Sequence, residues 1–470
     1  MNLVWFRNDL RVRDNPALYQ ACVAGEGVVA VVAYTPGQWF EHDESPAKMQ
    51  FWFACLKDLQ SELAALNIPL RVIETPDFQA LPDKLSALAN EVQASRLYLN
   101  HEYALNERQR DLAVLNRFRA EGRKVIGFHG DLVIPPGEVL TGQGQPFKVF
   151  TPFSRAWRKV CQQQQPTPLA LPKKQPLITT GDQPLPEMPV WGITNNTLWN
   201  ASLWPAGSAA AHTRLQNFVA VHLDEYPVQR DIPFEPGTSQ LSPYLAVGAL
   251  SARQCMAGVA SISDDPEWFN GQWLTELIWR EFYRHLLVQF PQMNYLQPFR
   301  PEVEQRIQWQ DNPQLFDAWS RGETGFPLVD AGMKQLLSTG WMHNRLRMVC
   351  ASFLTKLLRQ DWRLGAKFFM QHLVDGDFAS NLGGWQWCAS VGADAAPYFR
   401  IFNPQRQAER FDPQGAFVAH WLPELRTVQA NKRHDPVLAE RAGRPAAIID
   451  YRAARQQSLD DYQQSTRVSA

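Results

Sequence analysis

In the run WLTELIWREFYRH, residues 273–285, a helical repeat brings Trp273, Glu276 and Arg280 onto one face at i, i+3 and i+7, with Trp279 and Tyr283 alongside. A polar, charged face bearing two indoles is awkward as plain core; an ion pair on a solvated helix face is its plainest account. The run WMHNRLRMVCASFL, 341–354, places Asn344, Arg347 and Met348 on one face among apolar residues. Arg347 needs a partner there, because an unpaired buried charge is costly. Asp375 and Asp377, in the break DGDFASNLGGWQW (375–387), can supply one. Read as metal ligands they lack neighbouring carboxylates or histidines, so no metal is expected. The segment GTSQLSPYLAVGALS, 237–251, sets Thr238, Ser239 and Ser242 before a helix-like run, where hydroxyls either cap a helix or, with exposed N–H groups, receive phosphate.

Tryptophan is unusually common. Of 17, nine lie at 268, 273, 279, 309, 319, 341, 362, 385 and 387, whereas the first 150 residues hold three. A helical core that packs large aromatics accounts for this density, and so does an electron path or a stacking platform.

Two kinds of element must position these residues. Over residues 1–130, β-rich runs at 3–6, 28–34, 69–74 and 96–100 alternate with helix-like stretches at 46–66, 78–92 and 106–120, which predicts a parallel, doubly wound sheet. No GxGxxG follows the first strand, so a ligand at the strand ends would be held by other groups. Residues 160–190, VCQQQQPTPLALPKKQPLITTGDQPLPEMPV, contain seven prolines and predict a long connector without an extended helix or inner strand. From about 200, apolar spacing near 3.6 recurs at 209–223, 248–259, 267–290, 327–338, 341–359 and 361–374, and predicts a helical second region. The residues from about 455 are polar and are expected to fray.

Composition limits the function. With 46 basic and 47 acidic side chains the formal charge is -1, so a polyanion would have to be held by a local patch. Six separated cysteines without a CxxC pair argue against a zinc site or a disulfide framework and fit reduced thiols in a cytosol. The N-terminal MNLVWFRNDLRVRDNP reads as neither signal peptide nor membrane span, and no membrane partner is expected.

Residues 273–285, TGWMHNRLRM (339–348), DWR (361–363), DGDFASNLGGWQW (375–387) and PYFRIFNPQRQAERFD (397–412), together with LVWFRNDLRVRDNPAL at the N-terminus, resemble the photolyase/cryptochrome family over nearly the whole chain. The resemblance implies an α/β plus all-α architecture. A Rossmann-like antenna-binding domain over 1–130 is joined by a connector, 131–200, to a helical FAD-binding catalytic domain over 201–470. It implies light-driven repair of cyclobutane pyrimidine dimers in UV-damaged DNA, by electron transfer from reduced, anionic FAD to a flipped-out dimer.

By similarity, Tyr226 and the segment Thr238, Ser239, Gln240, Leu241 and Ser242 hold the diphosphate and sugar. Trp273 lines the flavin pocket, Arg347 pairs with Asp375, and Asp375, Gly376 and Asp377 lie near the adenine, ribose and flavin edge. Asn381 matches the position facing flavin N5; an amide cannot readily donate a proton there, whereas plant-type cryptochromes carry Asp. Glu276 hydrogen-bonds the damaged bases, and Trp279 and Trp387 wall the flipped pyrimidines. Arg230, Arg280, Tyr283, Asn344, Arg345, Met348 and Gln407 surround the DNA-binding mouth. Trp385, Trp362 and Trp309 match an electron-hopping chain, which leaves Trp268, Trp319 and Trp341 as core.

Asn344 and Met348 stand where the (6-4) enzymes have histidines, so within the family the chain is most similar to the class I, folate-type bacterial cyclobutane-dimer enzymes. Asn106 and Glu107 match a pair that binds 5,10-methenyltetrahydrofolate as antenna, although Asn294 and Tyr295 depart from the cysteine and lysine that some relatives place opposite. The resemblance further implies a monomer in the bacterial cytosol or nucleoid. The rival is a cryptochrome-like blue-light receptor; Asn381, Trp387, Met348 and only about 60 residues beyond Phe411 argue against it. A generic flavoprotein without a DNA role leaves Glu276 and Trp279 unexplained.

Overall fold

The computed structural model describes residues 1–188, 198–262 and 266–464. Residues 189–197 of the expected connector, and 465–470 of the expected frayed tail, lie outside the described residues. Strands β1 (Asn2–Phe6), β2 (Val28–Tyr34), β3 (Leu70–Glu74), β4 (Arg96–Asn100) and β5 (Lys124–Phe128) form one parallel sheet in the order β3-β2-β1-β4-β5. Trp5 pairs with Val31 on one side and Leu99 on the other, so β1 is flanked by strands and reads as a nearly continuous apolar run. The order reverses beside β1, which makes the sheet doubly wound.

Four of the five strands fall where alternation predicts them. β5 does not announce itself, because KVIGF at the sheet edge mixes an exposed lysine and a glycine into a short apolar run. Helices α1 (Pro16–Val23), α2 (Pro46–Ala65), α3 (Leu81–Glu91) and α4 (Leu105–Ala120) connect the strands. α1 is started by Asn15, whose side chain accepts from the Leu18 N–H, with Pro16 in the first turn. Leu85, Val114 and Phe118 pack with Leu3, Trp5, Val29 and Val31 into a core.

The connector needs correction. It contains a 15-residue helix, α5 (Phe150–Gln164), which takes in the glutamines expected to be irregular and stops at Gln165 in the left-handed region, φ 46°. Phe150, Phe153, Trp157 and Cys161 recur at three- and four-residue spacing and bury one side, and this period outweighs the prolines that begin at 166. Residues 165–188 have no regular structure. The main chain of Gln175 and Gln183 donates to the carbonyls of Leu66 and Leu70, each at 2.9 Å, which fastens this stretch along the sheet domain.

Among the helices that follow are α6 (Ser208–Val221), α7 (Ser242–Val247), α8 (Ala252–Ala260), α9 (Gln272–Gln289), α10 (Pro327–Thr339), α11 (Asn344–Ser352), α12 (Trp362–His372), α13 (Phe378–Cys388), α14 (Pro404–Phe411) and α15 (Tyr451–Gln464). The run 341–359 is not one helix: α11 begins only after His343 and passes into a π-helical turn, Phe353–Leu357. Nor do residues 455–464 fray. Tyr462 is buried with its hydroxyl donating to the Ala389 carbonyl at 2.8 Å, and Arg359 pairs with Asp461 at 2.6 Å, so tertiary contacts hold a helix that composition alone does not.

The described residues form two compact units. The first holds residues up to 188, Trp199–Val221 and Ser239–Pro291; the second holds Leu198, His222–Thr238 and the residues from Gln292 onward. The first unit therefore joins the sheet to α6–α9. Arg11, 1% exposed, explains much of that union: its guanidinium donates to the carbonyls of Asp14 (2.9 Å), Gly130 (2.7 Å) and Gly248 (2.9 Å). Asp14 in turn accepts from Arg253 at 3.1 Å and Ser251 at 2.5 Å. No helix among the described residues is long and apolar enough to cross a membrane.

Candidate functional site

In the first unit α9 carries Trp273, Glu276, Trp279, Arg280 and Tyr283 in the expected helical spacing. Trp273 is buried against Phe218, with ring centroids 5.5 Å apart, while Glu276, Trp279 and Tyr283 remain half-buried. Gln272, one turn earlier, donates to Glu276 at 3.1 Å and orients its carboxylate. One face of Trp279 is covered by Phe150, stacked at 3.6 Å and 6°, which fixes the plane of the indole.

Arg280 is anchored from behind. It and Arg284 both donate to Asp131, and Arg280 also reaches the carbonyls of Asp131 (3.2 Å) and Leu245 (3.3 Å). Burial pushes the Asp131 carboxyl up, but the two guanidiniums outweigh it and hold the group well below the usual carboxylate range. Glu281, 1% exposed, accepts from the N–H groups of Val133, Ile134 and the Trp157 indole. Burial pushes Glu281 up to about 7 against those three donors. Sequence reasoning missed Asp131, Phe150 and Glu281. The only signal for Glu281 is an acidic residue within the apolar stripe of α9.

The segment before α7 turns through Gln240, a non-glycine residue at φ 49°, whose side chain accepts from Arg214 at 2.8 Å. The capping account of the hydroxyls fails for α7, since its N-cap is Leu241 with no side-chain bond. It holds one helix later, where Ser251 and Gln254 form a capping box on α8. Ser239, Gln240 and Ser242 remain half-buried.

The second unit places Arg347 of α11 against Asp375, with Nη2 2.8 Å from Oδ2, and its Nε donates to the Met342 carbonyl at 2.8 Å. Asp377 caps α13 by accepting from the Ser380 N–H at 2.8 Å, and Gly376 lies between the two carboxylates. Four residues into α13, the Asn381 amide donates to the Ala366 carbonyl of α12 at 2.9 Å, which leaves its oxygen as the atom available to a ligand. Trp385 follows one turn later, 2% exposed and edge-on to Phe369 at 5.0 Å. Trp362 opens α12, fully buried, with its indole N–H on Glu304 at 2.8 Å. Trp309 is half-buried on a segment tied to the same end of α12, since the Gln310 N–H donates to the Arg359 carbonyl at 2.7 Å.

A third group gathers about α11 in this unit. Arg345 donates to Asp231 at 2.7 Å, lies 4.5 Å over the Phe411 ring and comes 3.8 Å from the Met348 sulfur. Arg230 is 3.9 Å from Asp231 and 5.6 Å over the ring of buried Tyr226. Asn344 is exposed, Trp387 and Gln407 are half-buried, and Thr238 is half-buried in the same unit. His343 starts α11 by accepting from the Arg345 N–H at 3.1 Å. It is 1% exposed, and burial lowers it to about 4, so its ring is neutral and Nε2 carries the hydrogen. That Nε2 has no partner among the described residues.

Trp319 is fully buried and Trp341 9% exposed, as expected of core, whereas Trp268 is half-buried. At the head of α4, Asn106 lies 3.4 Å from His42, and burial together with Glu102 pushes the Glu107 carboxyl up. Tyr295 is 64% exposed. Among the described residues no group of three histidines, cysteines or acidic residues is placed to hold a metal.

The donor set of the second unit fits a flavin dinucleotide: a guanidinium locked on one carboxylate, a second carboxylate beside it, and an amide fixed through its nitrogen. Residues 2–173 match the family model described as DNA photolyase, and residues 273–464 that described as the FAD binding domain of DNA photolyase. The protein from Salmonella typhimurium named deoxyribodipyrimidine photo-lyase is 44% identical over 474 residues, 98% of each chain. Its namesake from Escherichia coli is 44% identical over 478 residues, again 98% of each. Among solved structures, a bacterial class III photolyase from Agrobacterium tumefaciens superposes with a TM-score of 0.85 at 33% identity, covering 99% of this chain and 98% of that one.

Proposed function

The chain belongs to the DNA photolyase family, and from that premise we propose that it is a deoxyribodipyrimidine photo-lyase, a flavoprotein that uses light to split cyclobutane pyrimidine dimers in DNA. The observation that carries the reading is the Arg347–Asp375 pair beside Asp377 and the tethered Asn381, within a chain similar to photo-lyases from end to end. When bound, the reduced flavin supplies the electron that light drives into the dimer and that returns once the ring has opened.

The chain's own residues bind, orient and exclude. In this reading Tyr226, the segment 238–242, Trp273, Arg347, Asp375, Gly376, Asp377 and Asn381 hold the dinucleotide. Asn381 offers an oxygen and no acidic proton, which supports a working state in which the flavin stays anionic. Glu276 hydrogen-bonds the flipped bases. Trp279, its plane set by Phe150, and Trp387 flank them. Arg230, Arg345, Asn344, Met348, Tyr283 and Gln407 meet the damaged strand, with Arg280 braced by Asp131. Trp385, Trp362 and Trp309 carry electrons to an oxidised cofactor.

The finer assignments are part of the same proposal. Residues 1–130 form the antenna-binding region, 131–200 the connector and 201–470 the catalytic region. Asn106 and Glu107 bind a methenyltetrahydrofolate antenna, supported by the His42 contact that holds Asn106 at the head of α4. The enzyme works as a monomer in the cytosol, supported by six free, buried thiols.

The deciding experiment illuminates reduced holoenzyme with an oligonucleotide containing one thymine dimer and follows the return of thymine absorbance. Recovery is expected. Failure to recover thymine with flavin bound and reduced overturns the repair reading in favour of a light receptor.

A further inference from the structure

Gly365 lies on α12 one turn beyond Trp362, and its bare Cα lets the Trp385 indole rest against that helix. A Cβ built on Gly365 would fall inside the van der Waals envelope of Cη2 and Cζ3 of Trp385, and 2.7 Å from Cδ2 of Leu354. Neither neighbour has room to yield. Trp385 is 2% exposed and wedged between Phe369, at 5.0 Å, and Trp319, at 6.1 Å, while Leu354 is fully buried in the π-helical turn. The adjacent Ala366 carbonyl holds the Asn381 amide, so residues 365 and 366 seat two side chains that stand four apart on α13. Glycine in ordinary helix loses more backbone freedom on folding than alanine does, so its presence here goes against helix propensity.

We infer that Gly365 is a positioning residue for light-driven reduction of the cofactor, because it sets how closely the Trp385 indole approaches the helix that carries Trp362. The inference rests on the reading of Trp385, Trp362 and Trp309 as an electron path. Along that path one electron moves from Trp385 to the photoexcited oxidised flavin, one from Trp362 refills Trp385, and one from Trp309 refills Trp362. Each passage carries one electron, and two passages draw both electrons from one added dithiol, which releases two protons as its sulfurs close into a disulfide. Electron hopping falls steeply with separation, so a methyl group that pushes Trp385 off α12 slows the path without removing any indole.

The test compares flavin-loaded parent, Gly365→Ala, Trp385→Phe, Trp362→Phe and the double variant Gly365→Ala/Trp385→Phe by thermal unfolding and by photoreduction rate with dithiothreitol. Gly365→Ala is expected to lower the Tm of the parent, opposite in sign to the same change in an unobstructed helix, and to slow photoreduction severalfold. In the Trp385→Phe background it should lower Tm by clearly less than in the parent, because the smaller ring vacates the Cη2 and Cζ3 positions while the contact with Leu354 stays. Additive Tm shifts around this cycle overturn the contact. So does photoreduction of Gly365→Ala at the parent rate while Trp362→Phe is blocked. If Trp362→Phe and Trp385→Phe both photoreduce at the parent rate, the path itself falls and the inference with it, a result told apart by those two variants. Should Gly365→Ala fail to accumulate with flavin, recovery in the double variant supports the contact and continued failure overturns it.

Discussion

Arg347 and Asp375 lie 28 positions apart, yet both Asp375 oxygens accept from Nη2 of Arg347, at 3.0 and 2.8 Å. The Asp375 side chain is 2% exposed and that of Arg347 25% exposed, so most of the cost of desolvation falls on the carboxylate. Asp375→Asn leaves the guanidinium without its counter-charge. The expected result is a loss of about 2 kcal/mol in urea unfolding, below the 3–5 kcal/mol of a fully buried pair because Arg347 keeps some water. Flavin content should fall in parallel, and full flavin occupancy in the variant would remove the pair from the cofactor site.

Glu276 is half-buried and oriented by Gln272. Glu276→Ala should lower the yield of dimer repair on the order of tenfold, the loss of one charge-assisted hydrogen bond, with the flavin-to-protein ratio unchanged. Repair at the parent yield would show that the carboxylate does not touch the damaged bases.

Trp309 is the half-buried end of the indole series, and its N–H has no partner among the described residues. Trp309→Phe should abolish photoreduction of oxidised holoenzyme, read from loss of flavin absorbance under blue light. Chemically reduced enzyme should still repair. Persisting photoreduction would place the exit for electrons elsewhere.

Glu281 ties α9 to residues 133–134 and to α5 through three accepted hydrogen bonds. Glu281→Ala strands all three N–H groups in the interior and should cost roughly 3 kcal/mol or more. Because α5 carries Phe150, the same variant should also weaken binding of dimer-containing DNA, measured by its effect on Kd. A stability change within experimental error would show that other groups hold this junction.

Acid should unfold the protein partly through two histidines. Burial lowers His285 and His343 to about 4 from an ordinary 6.5. As pH falls the unfolded chain takes up these protons first, so the stability each contributes is complete above about pH 6.5 and is lost as pH approaches 4, on the order of 3 kcal/mol per group. His343→Asn keeps a capping oxygen at the start of α11 and removes the titration. Its unfolding free energy should change less between pH 6.5 and 4.5 than that of the parent, and equal slopes would exclude His343.

Much of the fold was legible because its signals are local. Val28–Tyr34 and Arg96–Asn100 are apolar runs of strand length and were bounded correctly, and Ser45 with Pro46 starts a 20-residue helix where its apolar period begins. β5 and α5 were not legible for the same reason in reverse: the edge position of β5 lets its apolar period lapse, and the prolines after 165 mask the helix before them. α15 depends on Tyr462 reaching Ala389, a contact no window of sequence contains.

The residue types and their order along the chain were enough to name the family and to pair Arg347 with Asp375, because helical spacing and motif identity are properties of the sequence itself. The tertiary structure decided what lies behind the candidate site residues: Phe150 under Trp279, Asp131 behind Arg280, Gln272 beside Glu276, and Gly365 beneath Trp385. Apart from Gln272, these partners stand 20 to 149 positions away from the residues they support. Such contacts follow from how helices and loops pack, and packing is not encoded in any local period.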